Sequence, residues 1–385
     1  MQDIDILIIG AGVAGLTCAG LLNQQGIHPE IIEKETEETF NSTGYMLGLY
    51  PLGGRVLNAL DARETYYDLS IEMETYEAHH PNGAIIKSYP LDFINEKYGS
   101  YRSITRQNLL NILFANVAPE TVRFGTTVTK LEQDNGRVKV NFSQGDSERF
   151  DLVIIADGLH SKTRDLLLSK YEYSYNHTGW GGWVSWLHNE PTTTYKEYWG
   201  TSSFLGIYPV KNKTGVFLGG PISTIKKKGF INFAMEIQQD LLPGYELPNK
   251  ALKSCCKDKN PFFWNFHDCK TETWYKGNVI LLGDAATGFL PTAGVGASMA
   301  MDSAAALADE LSRAHRDNIP YALELYTNRQ KQRVETAQAD SRKLAKIMFM
   351  KSSILSIIRN KLLPLYSLQQ ILSDLSKIME GRSWE

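Results

Sequence analysis

Cysteine is scarce in this 385-residue chain, with four in all: Cys18, Cys255, Cys256 and Cys269. They show no metal-ligand spacing, and the vicinal pair cannot staple distant segments. A chain of this length needs no disulfide scaffold, and a reduced, cytoplasmic setting is expected. Long apolar runs are missing too. No stretch reaches the roughly 20 uninterrupted apolar residues that span a bilayer, and even the tail is broken by Lys351, Arg359 and Lys361. No excess of positive charge exists: 40 Lys and Arg stand against 43 Asp and Glu, for a net charge of −3. That balance offers no field for a nucleic acid. The first residues run directly into an apolar segment, so no secretion leader is expected. Internal repeats and low-complexity linkers are absent. The eight histidines lack i, i+4 pairing, so no metal site is expected. His79 and His80 precede a Pro81-Asn82-Gly83 turn and are expected at the surface. No Ser-His-Asp constellation is found.

What the chain has in its place begins at its first strand. Ile4-Asp5-Ile6-Leu7-Ile8-Ile9 is followed by Gly10-Ala11-Gly12-Val13-Ala14-Gly15, a helical stretch through Leu22, and a second apolar run ending in Glu33-Lys34. Gly10 permits a tight turn, Gly12 a close backbone approach to a pyrophosphate, and Gly15 close packing of helix on sheet. Phosphates then sit at the helix N-terminus, where free N–H groups and the dipole favour anions. Glu33 is placed to accept hydrogen bonds from ribose hydroxyls. The triplet alone does not separate NAD from FAD.

The spacing predicts a short strand over 45–50, a helix from about Arg55 to Leu60, strand-like text from 70 to 97, and a helix from Arg106 through Val117. A buried strand ends at Ile155. Residues 171–275 are dense in tryptophan and tyrosine and read as mostly β. Asn278–Leu282 is another buried strand, followed by helices from Gly296 to about Ala314 and from Tyr321 to Met350. The expected fold is α/β: a Rossmann-like dinucleotide domain (1–70, 98–168 and 276–335) interrupted by a mostly β substrate domain (71–97 and 169–275), with a C-terminal helical segment (336–385). The tail is amphipathic. Packing across both domains is favoured for it over peripheral membrane contact.

Two further motifs follow buried strands. One is Asp157-Gly158-Leu159-His160-Ser161-Lys162-Thr163-Arg164; the other runs Gly283-Asp284-Ala285-Ala286-Thr287-Gly288-Phe289-Leu290-Pro291-Thr292-Ala293-Gly294-Val295-Gly296. In an open parallel sheet such loops converge on one ligand. Taken singly, Asp157 has a second reading as a helix cap and Asp284 as a turn residue, with the functional reading favoured for Asp157. In conjunction and in this order, the three motifs resemble those of the class A flavoprotein monooxygenases. These are aromatic-ring hydroxylases that include p-hydroxybenzoate, salicylate and urate hydroxylases and the tetracycline-inactivating monooxygenases. The likeness spans most of the chain.

The resemblance implies FAD, with NADPH or NADH as a transient reductant, since only one dinucleotide fingerprint is present. It implies that Glu33 binds the adenosine ribose, Asp284 the ribityl chain, and Arg106 the ribityl and phosphate region. Asp157 and Arg164 belong by the same likeness to a turn serving FAD and NAD(P)H. Pro291 is implied beside the isoalloxazine, with Gly294, Val295 and Gly296 presenting a helix N-terminus to its pyrimidine edge. The implied reaction is hydroxylation of a small or polycyclic aromatic or apolar acceptor by dioxygen, through a flavin C4a-hydroperoxide. Thr287 and Ser298 depart from the His and Asn frequent in the family. For the substrate side, Gly44–Leu47, Trp180–Trp186 and Gly206–Pro209 correspond to segments bordering the flavin. Tyr45 and Tyr208 are the candidate catalytic residues, able to orient or deprotonate a phenol. The rival readings are a flavin-dependent halogenase, because Trp183-Val184-Ser185-Trp186 is similar to half of the Trp-x-Trp-x-Ile-Pro motif, a prenyl-lipid-type flavin reductase, and a non-catalytic FAD-binding module.

Overall fold

The computed structural model describes residues 4–40, 44–188, 190–367, 370 and 377–379. All four side chains of the Ile6–Ile9 strand are buried, as expected of a strand covered on both faces in a parallel sheet. It pairs in parallel with Leu152–Ile155 on one side and Glu30–Ile32 on the other. Val279–Leu281 lies beyond the first neighbour and Val122–Arg123 beyond the second, again in parallel. Tyr275–Lys276 closes this six-stranded sheet as an antiparallel edge. Strands from distant parts of the sequence thus end on one side of the sheet, where the three glycine-bearing loops emerge.

A second sheet has seven strands in the order Phe262–Thr271, Tyr173–His188, Lys213–Pro221, Phe204–Val210, Thr194–Trp199, Thr75–His79 and Ile85–Pro90. Thr75–His79 joins it in parallel with Thr194–Trp199, so chain from before residue 98 completes a sheet otherwise built from residues 173–271. Alternation along its strands divides the apolar residues between two faces. Trp183, Tyr198, Leu205, Ile207, Val216 and Leu218 form one cluster, whereas Val184, Trp199, Phe204 and Phe217 belong to another. A sheet apolar on both faces needs cover on both. Here the first face is covered by helices Ile222–Lys228, Phe230–Asp240 and Glu246–Cys255, through Ile225, Phe233, Ile237 and Leu252.

Those three helices lie inside the mostly β stretch expected over 171–275, where no helix was placed. The buried residues Phe233, Ala234 and Ile237, then Pro248, Ala251, Leu252 and Cys255, recur at helical rather than strand spacing. Helix Asp92–Tyr98 likewise interrupts the strand-like stretch of 70–97, ending at Gly99 with φ +104°. The helix expected from Arg55 begins earlier, at Pro51, where the missing N–H costs no hydrogen bond. His79 is a further correction: it is buried, not at the surface. Its ring stacks on Tyr198 and its two nitrogens bond Gly83 O and the Glu77 carboxylate, because the strand carries it inside before the turn begins.

The C-terminal part contains the 30-residue helix Ile319–Met348 and the shorter Ser353–Leu362. Arg359 is buried and donates to the carbonyls of Ile347, Met348 and Trp199, tying the shorter helix to both the longer helix and the seven-stranded sheet. Ile354, Leu355, Ile357 and Ile358 face outward. Among the described residues no helix is long and apolar enough to cross a membrane.

Candidate active site

Close approach of backbones brings the three loops together. A Cβ on Gly10 would lie 2.6 Å from the Ala156 carbonyl oxygen, so the first turn rests against the Asp157-Gly158 turn. A Cβ on Gly283 would lie 2.7 Å from that of Ala14, so the Gly283-Asp284 loop rests against the first helix. Gly12, in contrast, has open space where its Cβ would be. It precedes helix Val13–Gln24, which has no side-chain cap and no acid in its first turn. Its leading N–H groups are thus available to an anion.

These loops open into a cavity of about 410 Å³. One wall carries Gly12, Val13, Ala14, Tyr45, Arg106, Gly158, Asp284, Pro291, Gly294 and Gly296. The opposite wall is the inner face of the seven-stranded sheet: Val184, Glu197, Trp199, Phe204, Tyr208 and Phe217. Met348, Phe349 and Leu363 extend it from the C-terminal helices. Sequence positions 45, 106 and 284 meet closely. Burial pushes the Tyr45 hydroxyl above its ordinary pKa, the neighbouring Asp284 charge adds to the rise, and Arg106 opposes it. The Arg106 N–H also donates to the Tyr45 carbonyl, which fixes the start of its helix against the short strand. Desolvation pushes the Asp284 carboxyl up to about 6.

Other candidate residues stand behind this wall rather than in it. Gly15 packs the first helix on the turn, since a Cβ there would meet the Gly10 carbonyl oxygen at 2.0 Å. Glu33 accepts from the Ala11 and Glu35 N–H groups at 2.9 and 3.0 Å, which holds the glycine turn and leaves lone pairs on each oxygen. Lys34 is exposed beside Glu35. Val295 is buried ahead of helix Gly296–Ser312. Asp157 is largely desolvated, which raises its pKa, and accepts from the Thr163 N–H. Arg164 contributes no atom to the cavity. It is fully buried, and its guanidinium donates to the carbonyls of Ala285 and Leu159 and to the Tyr175 hydroxyl, joining the second loop to the third. Ser298, one of the two departures from the resemblance, accepts from the Tyr50 N–H at 2.9 Å and so anchors the helix that follows Gly296.

On the sheet side, Tyr208 donates to Glu197 Oε1 at 2.7 Å. Burial and that carboxylate push the phenol well above its ordinary pKa. This hydroxyl is therefore suited to orienting a ligand and not to deprotonating one, which narrows the role expected of it. Glu197 itself escaped sequence reasoning. It also accepts from Trp199 Nε1 at 2.9 Å and from the Tyr76 hydroxyl. Burial raises its pKa, and the three donors oppose the rise. The available signal was an acid sharing one strand face with Tyr195 and Trp199 in an otherwise aromatic row. Of the Trp180–Trp186 segment only Val184 reaches the cavity. Trp183 packs against Phe230, Phe233 and Phe263 on the outer face, and Trp186 lies beneath Lys213. Trp180 stacks on Phe349.

Comparison with known proteins agrees with this geometry. The family model described as "FAD binding domain" matches residues 3–341. A flavin-dependent monooxygenase from an unidentified prokaryote is 28% identical over 320 residues, covering 80% of this chain and 81% of its own. A flavin-dependent monooxygenase of Legionella longbeachae is 26% identical over 330 residues, covering 82% of each chain. Among solved structures, Klebsiella pneumoniae HpxO complexed with FAD and uric acid superposes with a TM-score of 0.85 at 22% identity, covering 99% of this chain and 98% of that one. Tetracycline destructase Tet(55) gives 0.74 at 24% identity, covering 98% of each. The chain belongs to the FAD-binding-domain family and is an enzyme of its flavin-dependent monooxygenase group.

Proposed function

We propose that the protein hydroxylates a small or polycyclic aromatic or apolar substrate, using FAD, dioxygen and electrons from NADPH or NADH. The observation that carries this reading is the continuity of one cavity from the uncapped helix start at Gly12–Ala14, past Asp284, to the aromatic inner face of the seven-stranded sheet. The residues present fit FAD. Gly12 leaves room for a phosphate, the first helix offers free N–H groups, and Asp284 is a desolvated acceptor awaiting hydroxyl donors.

When bound, FAD supplies the redox and oxygen-activating chemistry. In this proposal Gly12, Val13 and Ala14 hold its pyrophosphate, Glu33 the adenosine ribose, and Arg106 and Asp284 the ribityl region. Pro291, Gly294 and Gly296 border the ring, with the positive end of helix Gly296–Ser312 favouring negative charge there. Gly10, Gly15, Asp157, Arg164 and Val295 act by shaping these loops. Phe204, Phe217, Trp199 and Tyr208 orient a flat substrate and keep water from the reacting centre. The aromatic wall agrees with the uric acid in the HpxO complex. The proposal retains the division into a discontinuous FAD-binding domain, an inserted substrate domain and a C-terminal segment. A cytoplasmic location fits four free thiols.

The halogenase reading loses its motif to packing, since neither Trp183 nor Trp186 lines the cavity. Reconstitution with FAD, followed by NAD(P)H oxidation over a panel of phenols, N-heterocycles and polycyclic compounds under labelled dioxygen, tests the proposal. Incorporation of one labelled oxygen atom into product is expected. Anaerobic turnover, a chloride-dependent product, or a folded protein that refuses FAD each overturns it.

A further inference from the structure

Among the described residues the cavity's lining contains three acidic or basic side chains, and only one of them is on the sheet side. Arg106 and Asp284 are on the proposed cofactor wall, where both act on the Tyr45 hydroxyl. Glu197 is alone among aromatic and aliphatic neighbours, at 7% exposure. Burying a carboxylate away from cations is costly unless donors surround it. Three neutral donors do so: Tyr208 on Oε1, and Trp199 and Tyr76 on Oε2. A carboxylate has about four lone-pair positions, so one acceptor position remains, on Oε1.

Sheet register keeps that position open. Glu197 sits opposite Gly206 on one neighbouring strand and Ala78 on the other, neither of which has a side chain long enough to cover it. Gly206 is further constrained, because a Cβ there would stand 2.3 Å from the Tyr208 ring. The absence of that carbon lets Tyr208 fold back over its own strand toward the carboxylate.

Resting on the reading of this cavity as a substrate site, we infer that Glu197 is its specificity-determining residue. Its free acceptor position takes an O–H or N–H donor on a neutral aromatic substrate, and its negative charge turns away aryl carboxylates. The substrate class is thus a phenol or an N–H heterocycle and not an aromatic acid.

Quenching of intrinsic tryptophan emission by 2-naphthol and by 2-naphthoate at pH 8, with and without FAD, tests this. Trp199 and Trp264 line the cavity and report on its contents. In the wild-type protein 2-naphthol should bind at least about tenfold more tightly, the scale of one hydrogen bond to a charged group. Glu197→Gln, which removes charge but keeps an acceptor, should narrow the gap by admitting 2-naphthoate. Glu197→Leu should weaken 2-naphthol binding about tenfold. Equal binding of both probes to the wild type, failure of 2-naphthol to bind, or an unchanged preference in Glu197→Gln protein that retains wild-type circular dichroism overturns the inference. Failure of FAD to bind overturns the proposed function instead, and probe selectivity is read either way.

Discussion

Asp284 places a carboxyl in a desolvated loop between the two halves of the site, and its titration carries a definite sign. Its pKa stands at about 6 in the folded protein against 3.8 ordinarily. Between those values the folded FAD-free protein holds a proton that the unfolded chain has released. Stability therefore falls as pH rises through that window and levels off above it. We expect the melting temperature of FAD-free wild type to drop more between pH 4 and 6.5 than that of Asp284→Asn, measured by differential scanning fluorimetry. Parallel curves for the two proteins would show that Asp284 is hydrated. At the same scale, the glycines and Asp284 were legible in the sequence because a turn or a close backbone approach restricts residue type at a fixed position. Arg164 was legible as a motif but not as a brace. Three carbonyl and hydroxyl partners, from positions 159, 175 and 285, become its neighbours only once the loops have met.

Helices and strands were legible where an apolar run is unbroken or recurs at one spacing between glycine-bearing turns, and less so elsewhere. The Ile319–Met348 helix, with its long buried stripe, and the Gly296–Ser312 helix, Ala-rich and buried almost all round, fall within two residues of the expected limits. The helices between 222 and 255 were hidden in a region whose aromatic density suggested mostly strands. Their necessity lies in the outer face of the seven-stranded sheet. Glu197 was illegible for a related reason: which side of Thr194–Trp199 looks inward depends on pairing with Thr75–His79, more than a hundred residues away. The Ser353–Leu362 helix offers a test at this scale. Arg359 supplies hydrogen bonds to three carbonyls, two of them buried, and burial lowers its pKa only to about 10, so it remains charged. Arg359→Ala should cost roughly 2–3 kcal/mol in urea unfolding. It should also speed protease cleavage between residues 349 and 366, with circular dichroism otherwise retained. Unaltered cleavage would mean that Leu363 and the apolar contacts suffice to hold this helix.

Across the whole molecule, the cavity draws one wall from each large sheet, so a ligand that fills it stabilises both. FAD at a hundred times its dissociation constant should add about 2.7 kcal/mol, and calorimetry should show a single transition moving upward as one. Two transitions, of which FAD shifts only one, would mean that the sheets unfold independently. The strand order of the parallel sheet bears on synthesis as well. Leu152–Ile155 lies between Ile6–Ile9 and Val279–Leu281, so a ribosome that has made the first 270 residues has released a sheet with one bare, wholly apolar edge. The intervening β-rich stretch lengthens that interval to roughly 6–25 s at ordinary elongation rates. A nascent chain in this condition is open to pairing with its neighbours on a polysome, and chaperone demand should peak there and end when the last parallel strand emerges.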